Sequence, residues 1–236
     1  MRSVWITGAG TGIGRAMARR FAEEGAVVTL TGRRRAPLEE VAREIEQAGG
    51  TARVAPADVL DRDVLAGLVD AIVAETGSLD VVANNAGINI PDRHWSQLDW
   101  ASWDQLIDIN VKGALNVIAA ALPPMRQQGG GLILNTASWA GRFYSHVSGV
   151  PYGASKHALM SINASLNSEE GKYGIRATAL CPAEVATPLL EERPNYSEEM
   201  AAAAIQPEDL AETAVHVAKL PARIVVHEIV VAPVRT

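Results

Sequence analysis

Short apolar runs alternate with helix-patterned segments along this whole chain, and few architectures accommodate that order. Val4-Trp5-Ile6 ends at a glycine cluster; over residues 15–24, Ala16, Met17, Ala18 and Phe21 recur among Arg and Glu at helical spacing, and Gly25 ends the pattern. Residues 26–31 read as a second strand, 33–47 as a second helix stopped by Gly49-Gly50, 52–55 as a third strand and 61–75 as a third helix. A fourth strand at 79–83 precedes a long helix over 102–122, closed by Pro123-Pro124. A fifth strand at 131–135, a helix over 152–172, a sixth strand at 175–181 and a seventh at 224–231 complete the series, with Ala201-Ala202-Ala203-Ala204 as a further helix turn. Runs this short and apolar are buried on both faces, and helical crossovers between them make neighbouring strands parallel. The pattern predicts an α/β fold: a doubly wound parallel sheet of about seven strands.

At 236 residues, with no internal repeat and no low-complexity linker, the chain fits a single domain spanning 1–236. A formal charge of −6 argues against nucleic acid, whose binding is dominated by basic neutralisation of phosphates. No run approaches the roughly 18 consecutive apolar residues of a membrane span, and the glycine cluster begins too early for a removable leader. The lone cysteine, Cys181, has no intramolecular partner, so the expected home is a reducing cytoplasm. His94, His146 and His157 have no metal-ligand spacing, and no metal is expected. Asn163-Ala164-Ser165 and Asn195-Tyr196-Ser197 fit the glycosylation pattern by coincidence in such a compartment.

The glycine cluster is Thr7-Gly8-Ala9-Gly10-Thr11-Gly12-Ile13-Gly14, between the first strand and the first helix. Glycines there permit positive φ and close approach of backbone to a pyrophosphate, and the helix N-terminus behind them supplies free N–H donors. The spacing is T-G-x-x-x-G-x-G rather than G-x-G-x-x-G. Two segments interrupt the alternation: 141–151, rich in Tyr, Ser, His and Gly, and 183–206, with Pro188, Pro194 and Glu pairs. Both follow strands, where open α/β sheets bind ligands, so both are candidate walls of a substrate pocket.

Thr7–Gly14, Asn84-Asn85-Ala86-Gly87, Asn110, Ser138, Tyr152 with Lys156, and residues 182–187 occur in that order. With this set the chain resembles the short-chain dehydrogenases/reductases over essentially its whole length. The resemblance implies a Rossmann-like fold, an NAD(P) cofactor and hydride exchange with an alcohol or carbonyl substrate. Tyr152 and Lys156 are i and i+4 on one helix, so an ammonium beside the phenol is expected to favour the phenolate, and Tyr152 becomes the general acid/base. Ser138 is suited to hydrogen-bond the substrate oxygen. By resemblance, Lys156 also holds the nicotinamide ribose and Asn110 anchors a proton-relaying water. Gly8, Thr11, Gly12, Ile13 and Gly14 form the phosphate loop, while Asn84, Asn85, Ala86 and Gly87 line the adenine–ribose side. Asp58 and Val59 hold the adenine edge, and Pro182, Val185 and Thr187 meet the nicotinamide end.

The position that usually carries a ribose-binding acid, about 20 residues beyond the glycine loop, holds Gly32 followed by Arg33-Arg34-Arg35. A guanidinium can grip a 2′-phosphate, so NADP(H) is the expected cofactor with Arg33 as its main contact, and NAD(H) stays open. Ala183 stands where the family usually has glycine after Pro182, a change tolerable at negative φ. Arg142, Tyr144 and Arg193 are candidate substrate contacts, the arginines for a carboxylate. Two other readings remain: an NAD-linked dehydrogenase of a small hydroxy acid or amino-hydroxy acid, and a non-catalytic NADP sensor. By resemblance the chain pairs through the helices beginning near Ser102 and Tyr152 into a homo-oligomer, dimer or tetramer. No membrane or nucleic-acid partner is expected.

Overall fold

The computed structural model describes residues 3–193 and 196–234. Seven strands form one sheet in the order β3-β2-β1-β4-β5-β6-β7, and every pairing is parallel. In chain order they are β1 (Ser3–Thr7), β2 (Val27–Thr31), β3 (Thr51–Val54), β4 (Val81–Asn84), β5 (Gly131–Thr136), β6 (Ile175–Pro182) and β7 (Glu228–Val231). The helices are α1 (Gly12–Glu23), α2 (Arg35–Gln47), α3 (Arg62–Thr76), α4 (Trp100–Ile107), α5 (Ala114–Gln128), α6 (Val150–Glu170), α7 (Pro188–Glu191), α8 (Glu198–Ala203) and α9 (Pro207–Lys219). The doubly wound parallel sheet read from the sequence is the architecture found.

Alternation along each strand divides the core into two layers. On β1, Val4 and Ile6 pack with α1, α2 and α9, while Trp5 faces the layer of α3 and α5. Trp5 is fully buried, and its indole N–H donates to Thr31 Oγ1 at 3.0 Å, so its polar atom is satisfied. The direction in which successive strands are added reverses between β1 and β4, which makes the crevice beyond their carboxyl ends the switch point where such sheets hold ligands. Cys181 is buried in β6 and behaves as a small hydrophobe.

Three elements differ from the sequence reading. The helix expected to close at Pro123-Pro124 runs through both prolines and stops at Gly129, where φ is +78°. The carbonyls the prolines leave free belong to Ala119 and Ala120, which are exposed and half-exposed, so water can satisfy them. That helix is also not uniform: a π turn, Asp108–Gly113, joins α4 to α5 and carries Asn110. The whole rod, Trp100–Gln128, is long and apolar enough to cross a membrane, but half of its most apolar stretch is buried in the domain, as a core helix is. The last strand is shorter than 224–231, because β6 holds 224–226 by side chains instead of a ladder: Arg176 Nη1 donates to Ile224 O and Thr178 Oγ1 to Val226 O.

Candidate active site

Two adjoining clefts open at the carboxyl edge of the sheet, of about 240 and 410 Å³, sharing Gly8, Thr11, Ala86 and Gly87 in their walls. Their common floor is the loop between β1 and α1. Gly8 and Gly12 have φ of +65° and +51°, a conformation that side-chain-bearing residues resist. A Cβ on Gly14 would lie 2.2 Å from Gly8 O, so the helix approaches the loop as closely as only glycine allows. Thr7 Oγ1 accepts from Asn85 N (3.0 Å) and Ala86 N (3.1 Å), and Asn85 Nδ2 donates to Thr7 O, fastening the end of β4 to the loop. No side chain caps α1, which leaves its first N–H groups available to an anion.

The larger cleft is walled by Arg33, Arg34, Asp58 and Val59. Asp58 Oδ1 accepts from Leu60 N at 3.0 Å, which fixes the carboxylate. Val59 fits only because position 113 is glycine: a Cβ there would meet Val59 Cγ2 at 2.5 Å. Arg33 and Arg34 are exposed and make no ion pair among the described residues, whereas Arg35 pairs with Glu39.

The smaller cleft gathers Ser138, Tyr152, Lys156, Pro182, Val185, Thr187 and Arg193. Ser138 follows β5 and accepts from Ala140 N at 3.1 Å, which fixes its hydroxyl next to Tyr152. Lys156 is buried; its Nζ donates to Thr136 O at 2.7 Å and lies 5.5 Å from the Tyr152 ring centre. Helix α6 can come this close because a Cβ on Gly141 would sit 2.7 Å from Lys156 O. Thr136 Oγ1 is buried in the cleft wall with no hydrogen-bond partner among the described residues, a group a polar ligand would satisfy. Ala183 follows at negative φ, as its side chain requires.

The electrostatics depart from the sequence reading. Burial raises the Tyr152 phenol above its ordinary value, opposed by the Ser138 hydrogen bond and the Arg193 charge. Burial likewise pushes Lys156 down to about 8. Burial therefore dominates at the phenol, over the Ser138 hydrogen bond and the Arg193 charge, and near neutral pH Tyr152 holds its proton.

Other expected contacts fall outside the clefts. Asn84 is buried in the sheet, donating to Asn135 Oδ1 (3.0 Å) and Ala114 O, so it braces β4 against β5. Asn110 lies behind the wall: Oδ1 accepts from Ile88 N (2.8 Å), and Nδ2 donates to Ile88 O and Ser155 Oγ. Arg142 is turned to Glu228 at 3.2 Å and is absent from the cleft wall. Tyr144 is 87% exposed, its hydroxyl bonded to His146, and is absent from the wall as well. Asn163 is buried, its Nδ2 given to His227 O, and Asn195 lies outside the described residues. Ser148, from the 141–151 segment expected as a wall, lines the cleft, and so do Asn89, Arg93 and Thr136, which were not singled out. For Arg93 the sequence held one signal, an arginine a few residues beyond the Asn-Asn-Ala-Gly turn, but beside Pro91 its other partner, Val147 O, lies 54 positions away.

These features fit a dinucleotide. The positive-φ glycines and the uncapped helix suit its pyrophosphate, and the orphaned Thr136 hydroxyl suits a polar group beside Lys156. Comparison with known proteins agrees. The short chain dehydrogenase family model matches residues 2–197. An uncharacterized oxidoreductase of Staphylococcus aureus is 36% identical over 230 residues, 97% of this chain and 96% of the relative. One from Staphylococcus epidermidis is 31% identical over 229 residues, with the same coverage. Among solved structures, a metagenomic short-chain oxidoreductase in complex with NADP is 30% identical at a TM-score of 0.85, covering 100% of this chain and 98% of that one. A Brucella melitensis 3-oxoacyl-[acyl-carrier protein] reductase with bound NAD is 32% identical at 0.85, covering 98% and 89%. The glycine loop, the switch-point crevice and these likenesses together place the chain in the short-chain dehydrogenase/reductase family, as an NAD(P)-dependent oxidoreductase.

Proposed function

We propose that the protein interconverts a carbonyl compound and its alcohol with NADP(H), using Tyr152 as general acid/base. The observation that carries this reading is the convergence of Ser138, Tyr152 and Lys156 on one wall of the cleft above the glycine loop. When bound, the nicotinamide exchanges a hydride with the carbonyl carbon. Ser138 donates a hydrogen bond to the substrate oxygen and stabilises its growing negative charge. Tyr152, protonated near neutral pH, delivers its hydroxyl proton to that oxygen, and takes it back when the alcohol is oxidised. The buried Lys156 charge supports the phenolate left behind. Asn110 positions this wall, tying the Ile88 backbone to Ser155 on α6.

The NADP preference is supported by Arg33 and Arg34 beside Gly32, at the end of β2, with no described acid paired to either. The phosphate loop (Gly8, Thr11, Gly12, Ile13, Gly14), Asn85–Gly87, Asp58, Val59, Pro182, Val185 and Thr187 complete the cofactor contacts. The homo-oligomer has its support in Trp100 and Leu115, 64% and 45% exposed, which leave apolar surface on the long helix; light scattering tests it. Activity is tested with NADPH and NADH against neutral ketones, aldehydes and 3-oxo acids, with Tyr152→Phe as control. Turnover favouring NADPH that vanishes in the variant is expected. A Tyr152→Phe protein that retains turnover overturns the assignment, and equal use of both cofactors overturns the preference.

A further inference from the structure

Arg93 is 6% exposed, an unusual condition for a guanidinium. The fold has made room for it. Gly149 has φ +79°, and a Cβ there would lie 2.4 Å from Arg93 Cβ, so no other residue fits opposite this side chain. Val150 N donates to Arg93 O at 2.8 Å. Arg93 Nε donates to Pro91 O and Nη1 to Val147 O, both at 3.3 Å. The rings of His94, next in the chain, and His146 stack on each other with their centres 4.6 Å apart.

What the seat lacks is a counter-charge. Among the described residues no carboxylate lies within 4.0 Å of Arg93, and its Nη2 donates to none of them. The charged groups that act on it are a second cation, Arg193, and, more weakly and in the opposite sense, Glu192. Burial and the Arg193 charge both press Arg93 towards losing its proton. Arg193 is itself paired to Glu184 at 3.6 Å, and its charge is felt at the Tyr152 phenol. Both arginines line the same cleft as Ser138 and Tyr152. Two guanidiniums facing one cleft, Arg93 with no carboxylate in contact and Arg193 with Glu184 at 3.6 Å, repel each other, and an anion between them relieves this. A brace between two loops would be served as well by a neutral donor.

We propose that Arg93, assisted by Arg193, is the carboxylate seat of the substrate site. The substrate is then a small oxo acid or hydroxy acid, its carbonyl or hydroxyl oxygen at Ser138 and Tyr152 and its carboxylate at Arg93. This rests on the carbonyl/alcohol reading of the site and narrows it. The arginine fork suits the planar carboxylate in a way that lysine does not.

The test separates anion binding from turnover. Propionate, butyrate and valerate, each against its neutral amide, are titrated calorimetrically into wild type and variants saturated with NADP+. The acids are expected to bind about 10- to 100-fold more tightly than the amides, the range of a hydrogen bond to a charged group. That preference disappears in Arg93→Gln, shrinks in Arg193→Gln and is partly kept in Arg93→Lys, while amide and cofactor affinities stay within twofold, which shows the fold intact. In parallel, kcat/KM for acetoacetate over methyl acetoacetate falls by the same factor in Arg93→Gln. Equal binding of acids and amides by wild type, or a preference that survives Arg93→Gln, overturns the carboxylate seat. A carboxylate preference lost in Arg93→Gln, in a protein that reduces none of the carbonyl panel, upholds the seat and overturns the carbonyl reading instead.

Discussion

The two halves of the crevice are built differently. The cofactor half is made mostly of backbone: positive-φ glycines, an uncapped helix end and a hydroxyl from β1 that fastens the next strand's turn. Its parts lie at the ends of central parallel strands, and each is coded by neighbouring residues. The substrate half is made of side chains from three distant segments, around 89–93, 146–150 and 183–193. Backbone geometry that only glycine permits leaves a motif in the sequence, whereas the loops show only as breaks in the alternation at 141–151 and 183–206, and the segment around Arg93 does not show at all.

The sharpest way to break this contrast is Tyr152→Phe. General acid/base catalysis contributes ~10²–10⁴-fold, so turnover should fall by about that factor. NADPH affinity, measured by fluorescence, should stay within twofold. Comparable loss of binding would merge the two halves.

Gly14→Ala probes the cofactor half alone. Its methyl would collide with Gly8 O, and because overpacking costs about 1–3 kcal/mol or more, it should lower the melting temperature and weaken NADPH beyond 10-fold. Arg33→Ala should weaken NADPH by roughly 10- to 100-fold and leave NADH unchanged, since a charge-assisted hydrogen bond is worth about 1.5–3 kcal/mol. Equal weakening of both would mean a solvated helix start.

Lys156 gives the pH dependence. Its folded value, about 8, lies below the unfolded one, so between pH 8 and 10.5 the unfolded chain binds more protons. Stability should therefore rise with pH across that window, by about 3 kcal/mol in all, and Lys156→Met should flatten the rise in denaturant melts. Carbonyl reduction should decline above pH 8 as the ammonium is lost, a limb that Lys156→Arg moves beyond pH 10. The smallest effect belongs to Arg142→Ala. Its pair with Glu228 is largely solvated and worth ~0–1 kcal/mol, so stability and the acid-to-ester ratio should hardly move.

The sequence by itself determined a parallel sheet of seven strands with its ligand site at their carboxyl ends, because apolar periodicity and glycine punctuation act locally and survive without tertiary context. It also brought Ser138, Tyr152 and Lys156 into view as one set, two of them held at helical spacing. Only the tertiary structure decided the rest. A helix runs through Pro123-Pro124 because solvent reaches the carbonyls they free, and a π turn places Asn110 behind the wall. Tyr152 keeps its proton because burial, a property of the whole fold, outweighs the Ser138 hydrogen bond and the Arg193 charge. The substrate half replaces Arg142 with Arg93: Glu228 claims the first across the sheet, and Gly149 opens a seat for the second. Those choices depend on which distant segments meet, and no local pattern in a chain records that.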